Sequence, residues 1–594
     1  MKTKLVMMLM GFYLVAAQAW AQQAPVTGKV SDEQGTPLPS VSVIIKGTTL
    51  GTSTNDAGDY SIRATPGQVL QFRRIGAIPV ERTVGAEATM NVQLQRAVTS
   101  LNAVVVTALG ETAAKRSLGT AQQSVTGTAI AETQRENFVN ALQGRIAGVD
   151  VTSTSGVPGA SSSIVIRGIS SISSSNQPLM IIDGLPMDNR TMNTGVLSSD
   201  NNSTQAFSNR GIDFTNRASD LNPEDIETLT VLKGPEAAAL YGIDAASGAI
   251  VITTKRGKSG GGLQYSNSFR LEKTSAKPDL QRVFGPSLSI TNATGLTSFS
   301  YFGAPYDPGT VFYDNVGSFF RTGSAQTHNL SFSGATGDGR INYRLASASD
   351  KTLGVVPNTD YSRINLTGAS QAQVTSWLNT DVSMAYTYDN NDQVYKGDIG
   401  PLIGALVWPQ NDNAMNFLTP AGTRRQLTVL SPSLEQDNPY FNIARNRVNA
   451  KTNRIMTNVG LTLTPFSWGN LKTNIGADNY TNQNLILRNP DSQVGNAFNG
   501  MLELADLITR NINIQTLFNV NSRQLGKNFS ISGLLGNAIS DYRTNTDALK
   551  GQDFLDPNFV SINNTNQRTS KTTLEQRRLI GAFAQAQLDF KDYL

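Results

Sequence analysis

The 594-residue chain has no cysteine and one histidine, His328. Disulfides, thiol nucleophiles and Cys/His zinc sites are therefore excluded. Charged residues make up 16% and hydrophobic residues 39% of the chain, whereas soluble domains carry roughly 25% and 45–50%. After the N-terminus, no segment approaches about 18 consecutive apolar residues, so no membrane-spanning helix is predicted there. The net charge of +4 is spread along the chain and does not indicate a nucleic-acid partner.

Small polar residues and 52 glycines fill the missing share of the composition. This profile disfavours a helical cytosolic enzyme. It is typical of an all-β chain with long polar loops, or of an outer-membrane barrel, whose strands need only alternate between apolar and polar residues.

The N-terminus has the three parts of a secretory signal peptide. Lys2 and Lys4 supply positive charge, residues 5–17 are mostly apolar, and Ala19-Trp20-Ala21 is a small-x-small cleavage site. The apolar run is too short for the ~20 residues of a spanning helix. We therefore predict that residues 1–21 are a signal peptide and that the protein is exported.

Residues 22–97 contain short β-branched runs separated by Gly, Pro, Asn and Asp, which predicts strands joined by turns. The run from Gly47 through Asn55 to Tyr60 resembles the carboxypeptidase regulatory-like domain, a seven-stranded β-sandwich. The segment has no zinc ligands, so the resemblance implies a spacer or docking module and no peptidase activity.

Residues 98–112 form a linker that contains an apolar, β-branched stretch. One interpretation is a last strand that closes the sandwich. The other is an edge strand offered to another protein, which would bind it through backbone hydrogen bonds. The stretch resembles the TonB box of TonB-linked receptors, although the acidic residue often found at the position of Ala103 is missing. The resemblance implies TonB binding by Leu101, Asn102, Ala103, Val104, Val105, Val106, Thr107 and Ala108.

Residues 113–257 contain a series of strands, turns and caps whose order is more specific than any one of them. Asn222 is a candidate N-cap with Pro223 at the first helical position. The turn and cap motifs are Arg167-Gly168, Asp183-Gly184, Lys233-Gly234-Pro235 and Tyr241-Gly242. Together they resemble the plug domain of the SusC/RagA family of TonB-linked outer-membrane proteins.

Residues 258–594 alternate apolar and polar residues with period 2, which predicts a lipid-facing wall with a polar inner side. Short and long connections alternate, as in outer-membrane barrels. The ten predicted strands lie near 262–272, 328–334, 340–349, 362–370, 377–388, 453–463, 471–482, 511–521, 528–540 and 577–591.

The predicted fold is therefore mainly β: an N-terminal β-sandwich, an α+β plug, and part of a 22-stranded antiparallel transmembrane β-barrel. The family resemblance implies about 22 strands, and a complete ten-stranded barrel would be too narrow for this plug. We therefore expect the sequence to be C-terminally truncated.

The family resemblance implies a non-enzymatic importer in the outer membrane, surrounded by its lipid and energised by TonB with ExbB–ExbD. It also implies a SusD-like lipoprotein partner and oligosaccharide or peptide substrates. No cofactor or metal is expected. The alternatives are a siderophore- or vitamin-type receptor and a surface-binding protein without transport. A signalling receptor is less favoured because no N-terminal βαβ domain is evident.

Seven aromatic residues occur within 301–320. They could contact substrate or the lipoprotein, or they could pack at the membrane interface. The candidate contact residues are Tyr301, Tyr306, Tyr313 and, in a second loop, Trp408. His328 is expected at the start of a strand without a metal or catalytic role, and Asp183 is expected to form its turn rather than act as a general acid or base.

Overall fold

The computed structural model describes residues 25–32, 35–48, 50–74, 79–85, 87, 89–94, 104–106, 112–114, 122–172, 175–191, 211–287, 300–428, 432–526 and 528–590. The predicted signal peptide lies outside these residues. The chain divides into two compact units, residues 1–103 and 104–594, and each is described by itself. No helix in the described part is both long enough and apolar enough to cross a membrane.

The first unit is a small β-sandwich. A three-stranded sheet has the order β4-β1-β7, and a four-stranded sheet has the order β3-β2-β5-β6. In β1, Val26 and Val30 are buried while Thr27 and Lys29 are exposed, because alternate residues point to opposite faces. The described strands thus confirm the predicted seven-stranded fold. They are β1 (Val26–Ser31), β2 (Ser42–Ile45), β3 (Gly51–Ser53), β4 (Asp59–Ile62), β5 (Val69–Arg73), β6 (Val80–Thr83) and β7 (Val92–Gln93).

The second unit begins with a short hairpin. Strand β8 (Val104–Val106) pairs antiparallel with β9 (Thr112–Ala114). The linker therefore contains a strand, as predicted, and its partner follows it directly in the chain.

The plug is built around a five-stranded mixed sheet with the order β10-β15-β16-β13-β14, beside a separate β11-β12 hairpin. Its apolar core contains Phe138, Leu142, Leu229 and Ile250, all with no exposed surface. The strands are β10 (Gln122–Thr126), β11 (Val149–Ser153), β12 (Ser162–Ile166), β13 (Leu179–Ile182), β14 (Leu185–Met187), β15 (Ile226–Leu232) and β16 (Ala249–Thr254). The helices are α1 (Gly127–Ala131) and α2 (Pro235–Tyr241), with 3₁₀ turns at Phe138–Leu142, Arg217–Asp220, Pro223–Asp225 and Ile243–Ala245.

Ten long antiparallel strands then form one sheet in the order β17-β20-β21-β22-β23-β24-β25-β26-β27-β28. The prediction of these strands is confirmed. They are β17 (Leu263–Glu272), β20 (Gly323–Ala335), β21 (Ile341–Leu353), β22 (Asp360–Gln373), β23 (Leu378–Gln393), β24 (Arg447–Phe466), β25 (Gly469–Arg488), β26 (Met501–Gln524), β27 (Phe529–Phe554) and β28 (Thr565–Phe590).

The connections alternate as predicted. One end of the sheet carries the short turns 336–340, 374–377, 467–468 and 525–528, and the longer loops 273–322 and 394–446 lie at the other end. These loops contain the hairpin β18 (Phe284–Ser287) with β19 (Ser300–Pro305), and the helices α3 (Asn315–Phe319), α4 (Pro401–Val407) and α5 (Pro439–Arg445), with 3₁₀ turns at Gly397–Ile399 and Pro432–Leu434. Two further 3₁₀ turns, Asn496–Phe498 and Ile562–Asn564, lie in the loops 489–500 and 555–564.

The sheet has an apolar outer face and a polar inner face. On β23, Val382 and Met384 are half exposed, whereas Thr387, Asp389 and Asn391 are buried. This inverts the arrangement of a soluble domain and is the pattern that a lipid-facing wall requires.

The inner face curves around the plug. From the first strand, the Arg270 guanidinium donates to the carbonyl of Gln134 at 2.6 Å. From the last strand, Arg577 donates to the Asp244 carboxylate at 3.0 Å. Because both ends of the sheet contact the same domain, the wall encloses the plug on the side that these ten strands form.

Candidate plug–wall interface

The Asp183-Gly184 motif forms the tight turn between β13 and β14. Asp183 has φ 49° and Gly184 has φ 91°, the left-handed pair that a two-residue hairpin turn requires. The Asp183 carboxylate accepts hydrogen bonds from the Thr254 amide (2.9 Å) and hydroxyl (2.8 Å). Asp183 therefore fixes the turn against the neighbouring strand.

The other plug motifs are also turns and caps. Arg167 and Gly168 follow β12 with φ 58° and 92°, and Gly242 ends α2 with φ 74°. Pro235 opens α2 after an extended Gly234, which agrees with the preference of proline for the first helical position. Asn222 caps the following 3₁₀ turn by accepting from the Glu224 amide.

Lys233 anchors the first strand of the plug. Its ammonium donates to the Gln123 side-chain oxygen at 3.0 Å, and the same oxygen accepts from the Ala147 amide at 3.2 Å. Burial, with a further contribution from the charge of Arg167, lowers the pKa of the Lys233 ammonium. Gln123 lies in β10, an edge strand that pairs only with β15 among the described strands.

The centre of the interface is a buried ionic cluster between plug and wall. From β24, Arg454 donates to Asp478 on β25 (2.7 Å) and to Asp220 of the plug (2.9 Å). From the plug, Arg217 lies 3.3 Å from Asp220 and 3.6 Å from Asp389 on β23. Burial opposes the charge on Arg217, but the carboxylates of Asp220 and Asp389 outweigh it and raise its pKa.

A second buried pair lies one strand away. The Arg363 guanidinium of β22 contacts the Asp350 carboxylate of β21 at 2.6 Å. The same guanidinium donates to the plug carbonyls of Glu136 (3.1 Å) and Ser219. A single wall arginine therefore holds two separate plug segments.

The β13–β14 hairpin has its own wall contacts. The Tyr480 hydroxyl donates to Asp188 at 2.9 Å, and the Asn513 amide donates to the Pro186 carbonyl at 3.2 Å. Leu185 projects against Gly476 of β25, where a Cβ would lie 2.2 Å from its Cδ1 atom. The glycine therefore provides the space that this leucine occupies.

Ion pairs continue towards the end of the sheet with short turns. Arg256 bridges Asp183 (3.1 Å) and Asp381 of β23 (3.0 Å). Burial opposes its charge, but these two carboxylates outweigh it and raise the pKa. A cavity of about 570 Å³ lies here between plug and wall, lined by groups that include Asp183, Arg256, Asp381, Asn458 and Asn474.

The sequence analysis identifies only the cap at Asn222 in this part of the plug, yet residues 211–221 supply much of the interface. Asn216, Arg217, Ser219 and Asp220 are almost completely buried. One signal could have identified this segment: an arginine and an aspartate three positions apart, Arg217 and Asp220, in a segment that also contains Phe214 and Leu221. The segment was missed because it has neither helical nor strand periodicity and therefore resembles a surface loop in sequence.

The predicted TonB-binding stretch is described only at Val104–Val106, where it forms β8. Leu101, Asn102, Ala103, Thr107 and Ala108 lie outside the described residues. The role of the stretch in binding TonB stays a prediction.

The aromatic candidates lie in different environments. Phe319 is buried in a loop core with Ala405 and Ile443. Trp408 is also buried, and its indole donates to Asp412 at 2.9 Å. Burial makes Trp408 the weakest candidate for contact with substrate or a lipoprotein.

Tyr306 and Tyr313 are better exposed. Tyr306 packs edge-on against Phe312, with ring centroids 5.0 Å apart, and Tyr313 is 38% exposed. The side chain of Tyr301 lies outside the described residues. A contact role for these tyrosines stays a prediction.

His328 lies within β20 rather than at the start of a strand, which corrects the predicted boundary. Its Nδ1 atom is 2.8 Å from the Tyr265 hydroxyl. The strand begins five residues earlier, at Gly323. The sequence did not predict this start, because polar residues occupy both faces there and hide the alternation. The described residues contain no group of three or more His, Asp or Glu side chains that could hold a metal.

Two family models match the chain. The TonB-dependent Receptor Plug Domain matches residues 114–249, and the CarboxypepD_reg-like domain matches residues 26–106. The second match includes the strand Val104–Val106.

Curated proteins that are similar in sequence are also named as TonB-dependent receptors. TonB-dependent receptor SusC of Bacteroides thetaiotaomicron is 33% identical over 362 residues, which cover 61% of this chain and 33% of SusC. TonB-dependent receptor P39 of Formosa agariphila is 28% identical over 582 residues, which cover 96% of this chain and 51% of P39. The chain thus spans between a third and a half of the length of these relatives.

A solved structure of the RagAB peptide importer in its closed-closed state is similar with a TM-score of 0.60 at 18% identity. The match covers 80% of this chain and 54% of that one, and it supports the fold. Both matched domains occur in the predicted order, and the plug lies against the inner face of a ten-stranded sheet. The chain therefore contains the plug domain of TonB-dependent receptors and is similar in sequence to SusC.

Proposed function

We propose that this protein imports large polar nutrients, oligosaccharides or peptides, across the outer membrane. TonB with ExbB–ExbD would supply the energy, and a SusD-like lipoprotein would deliver the substrate. The observation that supports this proposal best is the buried, polar plug–wall interface centred on Arg217, Asp220 and Arg454. A barrel whose interior is occupied by a folded plug is not a passive pore, so transport requires work on the plug.

The energy must come from outside the outer membrane, which has neither ATP nor an ion gradient of its own. A pulled N-terminal strand is a simple way to transmit it, and β8 precedes the plug. Traction there would reach β10 first. This edge strand pairs with β15 from Gln122↔Leu232 to Thr126↔Thr228, and pulling from its Gln122 end would open these pairs one after another. The contact between Lys233 and Gln123 would resist the first step.

A passage for substrate would open where the plug and wall are already separated. The cavity beside Asp183 and Arg256 lies at the end of the sheet with short turns, and this end faces the periplasm in outer-membrane barrels. Amide, carboxylate and guanidinium groups line it, and these suit the hydroxyl and peptide groups of glycans and peptides. One structurally similar protein, RagAB, is a peptide importer, which agrees with the peptide part of this class.

The decisive experiment is uptake by cells that carry a deletion of residues 101–108. We expect labelled oligosaccharides or peptides to bind these cells but not to accumulate inside them. Unchanged uptake would overturn the traction mechanism. If neither the original nor the deleted protein supports uptake while surface binding persists, the alternative of a surface-binding protein is favoured. Uptake of a labelled siderophore or vitamin instead would favour the third alternative.

A point substitution tests whether the stretch binds as a strand. Val105→Pro removes one backbone donor and should abolish uptake, because strand addition depends on main-chain hydrogen bonds. Val105→Thr keeps the donor and the β-branched shape, so it should retain uptake. Equal uptake by the two variants would contradict recognition through the backbone.

A further inference from the structure

The outer face of β25–β28 carries a row of hydrogen-bond donors that have no partner among the residues that the structure describes. Cross-strand register aligns Asn479 with Arg510, Arg510 with Arg543, and Arg543 with Gln576. Their sequence neighbours Tyr480, Asn511 and Tyr542 contact the plug or are buried on the inner face. Because successive side chains point to opposite faces, the four residues of this row point outward, where all are exposed.

The two arginines are unusual in their placement. Arg510 and Arg543 lie directly opposite each other on adjacent strands, and like charges in this position are destabilising. Among the described residues, neither guanidinium has a carboxylate partner, and none of the four side chains in the row donates a hydrogen bond to another residue. The nearest acid on the neighbouring row, Asp541, is bound by Arg578 at 2.7 Å.

Other carboxylates are segregated from the pair. Asp506 and Asp547 face each other four residues further towards the long loops, which is roughly 13 Å along the strands. The hydroxyl of Thr572 (2.8 Å) and the amide of Asn545 (3.0 Å) donate to Asp547.

The opposite direction is apolar. Four residues towards the short turns, a row of isoleucines crosses the same four strands: Ile475, Ile514, Ile539 and Ile580. The donor row therefore lies at the margin of the apolar band on the side of the long loops, where Ile508 and Leu574 are the exposed apolar residues of the next outward row. In an outer-membrane barrel this is the boundary between acyl chains and headgroups of the outer leaflet.

We propose that Arg510 and Arg543, flanked by Asn479 and Gln576, bind the phosphate of a phosphorylated outer-leaflet lipid. A phosphate between the two guanidinium groups would relieve their repulsion. Arginine suits this role because its planar donors match phosphate oxygens in pairs. A lipid is favoured over a free anion because the isoleucine row continues the site with a surface for acyl chains. The proposal rests on the outer-membrane location given under the proposed function.

The test uses the full chain extracted from outer membranes in detergent, with bound lipid counted by native mass spectrometry. The probes are a monophosphorylated lipid A, the same lipid with its phosphate removed, and inorganic phosphate. We expect the phosphorylated lipid to bind about tenfold more tightly than the dephosphorylated one. The double substitution Arg510→Gln with Arg543→Gln should abolish this difference.

A matched control removes two other outward cations. Lys351 on β21 and Lys451 on β24 are exposed, and each is paired across the strands with polar, uncharged residues. The Lys351→Gln, Lys451→Gln variant loses the same charge and should retain the preference. An equal loss in both double variants, or no preference in the unsubstituted protein, would overturn the proposal. Displacement of the lipid by millimolar inorganic phosphate would indicate a free-anion site instead and would also overturn it.

Lipid binding and transport are separable in this design. Deletion of residues 101–108 should abolish uptake but leave the preference for the phosphorylated lipid unchanged. A loss of uptake without any lipid preference would refute the lipid site alone. Retained lipid preference with unchanged uptake would refute the traction mechanism alone.

Discussion

The plug has two kinds of buried contact, an apolar core inside the domain and a charged interface with the wall. Inside, Leu229 and Ile250 belong to an apolar core with no exposed surface. Towards the wall, Arg217, Asp220 and Arg454 are just as inaccessible, yet they are charged. Exposure of apolar side chains to water is unfavourable, so burial of the core keeps the domain folded. Charged groups regain hydration when they separate, which offsets part of the loss of their contacts.

This difference suggests how a plug can move and still stay intact. Separation from the wall exchanges protein hydrogen bonds for water, whereas opening the core exposes apolar surface with no compensation. A force transmitted to the plug would therefore act first at the polar interface and at the edge strand β10. The comparison leads to four predictions: one at the polar interface, one in the apolar core, one where the two meet, and one at an exposed ion pair outside the plug.

The largest effect is expected at the centre of the interface. Arg454→Ala leaves the buried Asp478 carboxylate without its cation and leaves Asp220 with Arg217 alone, and breaking a buried ionic contact in this way costs about 3–5 kcal/mol. Urea unfolding of the detergent-extracted protein, followed by tryptic release of plug peptides, measures it. The control is Arg447→Ala at the rim, where the side chain is 59% exposed and 3.8 Å from Asp392. If Arg454→Ala lowers the free energy of unfolding no more than Arg447→Ala does, the cluster does not hold the plug.

The next effect is expected in the plug core. Leu229→Ala leaves a cavity, and such truncations cost about 2–5 kcal/mol. Hydrogen exchange should accelerate in β15 and β16 and stay unchanged in the wall strands. If hydrogen exchange in the wall strands accelerates to the same extent, plug and wall unfold as one unit. That result would contradict the idea that the plug separates from the wall while its core stays folded.

The sequence locates the wall strands where one face is apolar and fails where both faces are polar. The last three strands are predicted at 511–521, 528–540 and 577–591, but they extend to Met501, Phe554 and Thr565. Beyond Asp541 and Arg578 the outward residues are largely polar, like the inward ones, so the period-2 signal of hydrophobicity disappears. Backbone pairing nevertheless continues, because strand ladders do not depend on which side chains they carry.

The turns of the plug were predictable for a different reason. Asp183-Gly184 requires left-handed backbone that few residues adopt, so its residue types are diagnostic. The ionic cluster was not predictable in this way. Arg217 and Asp389 are 172 positions apart by their numbers, and no local periodicity marks residues that meet only after the plug enters the wall.

A smaller effect is expected where the two chemistries meet. Gly476→Ala places a Cβ 2.2 Å from the Leu185 Cδ1 atom, and such overpacking costs about 1–3 kcal/mol. Adding Leu185→Ala should recover part of that loss, and a double-mutant cycle on the thermal midpoint measures the coupling. Gly581→Ala is the control, because an added Cβ there meets no atom within 4 Å. Additive effects of the Gly476 and Leu185 substitutions would contradict direct packing.

The smallest effect is expected for an ion pair that lacks burial. In the sandwich, the Lys46 ammonium lies 2.7 Å from the Glu81 carboxylate, and the side chains are 57% and 40% exposed. The distance is similar to that between Arg454 and Asp478, but water already solvates both groups, so the pair contributes only about 0–1 kcal/mol. Lys46→Ala should therefore shift thermal unfolding of the sandwich only slightly, and added salt should remove the shift. A shift as large as that from Arg454→Ala would mean that geometry alone determines the strength of these pairs. A small, salt-sensitive shift would attribute the strength of the plug–wall cluster to its exclusion from water.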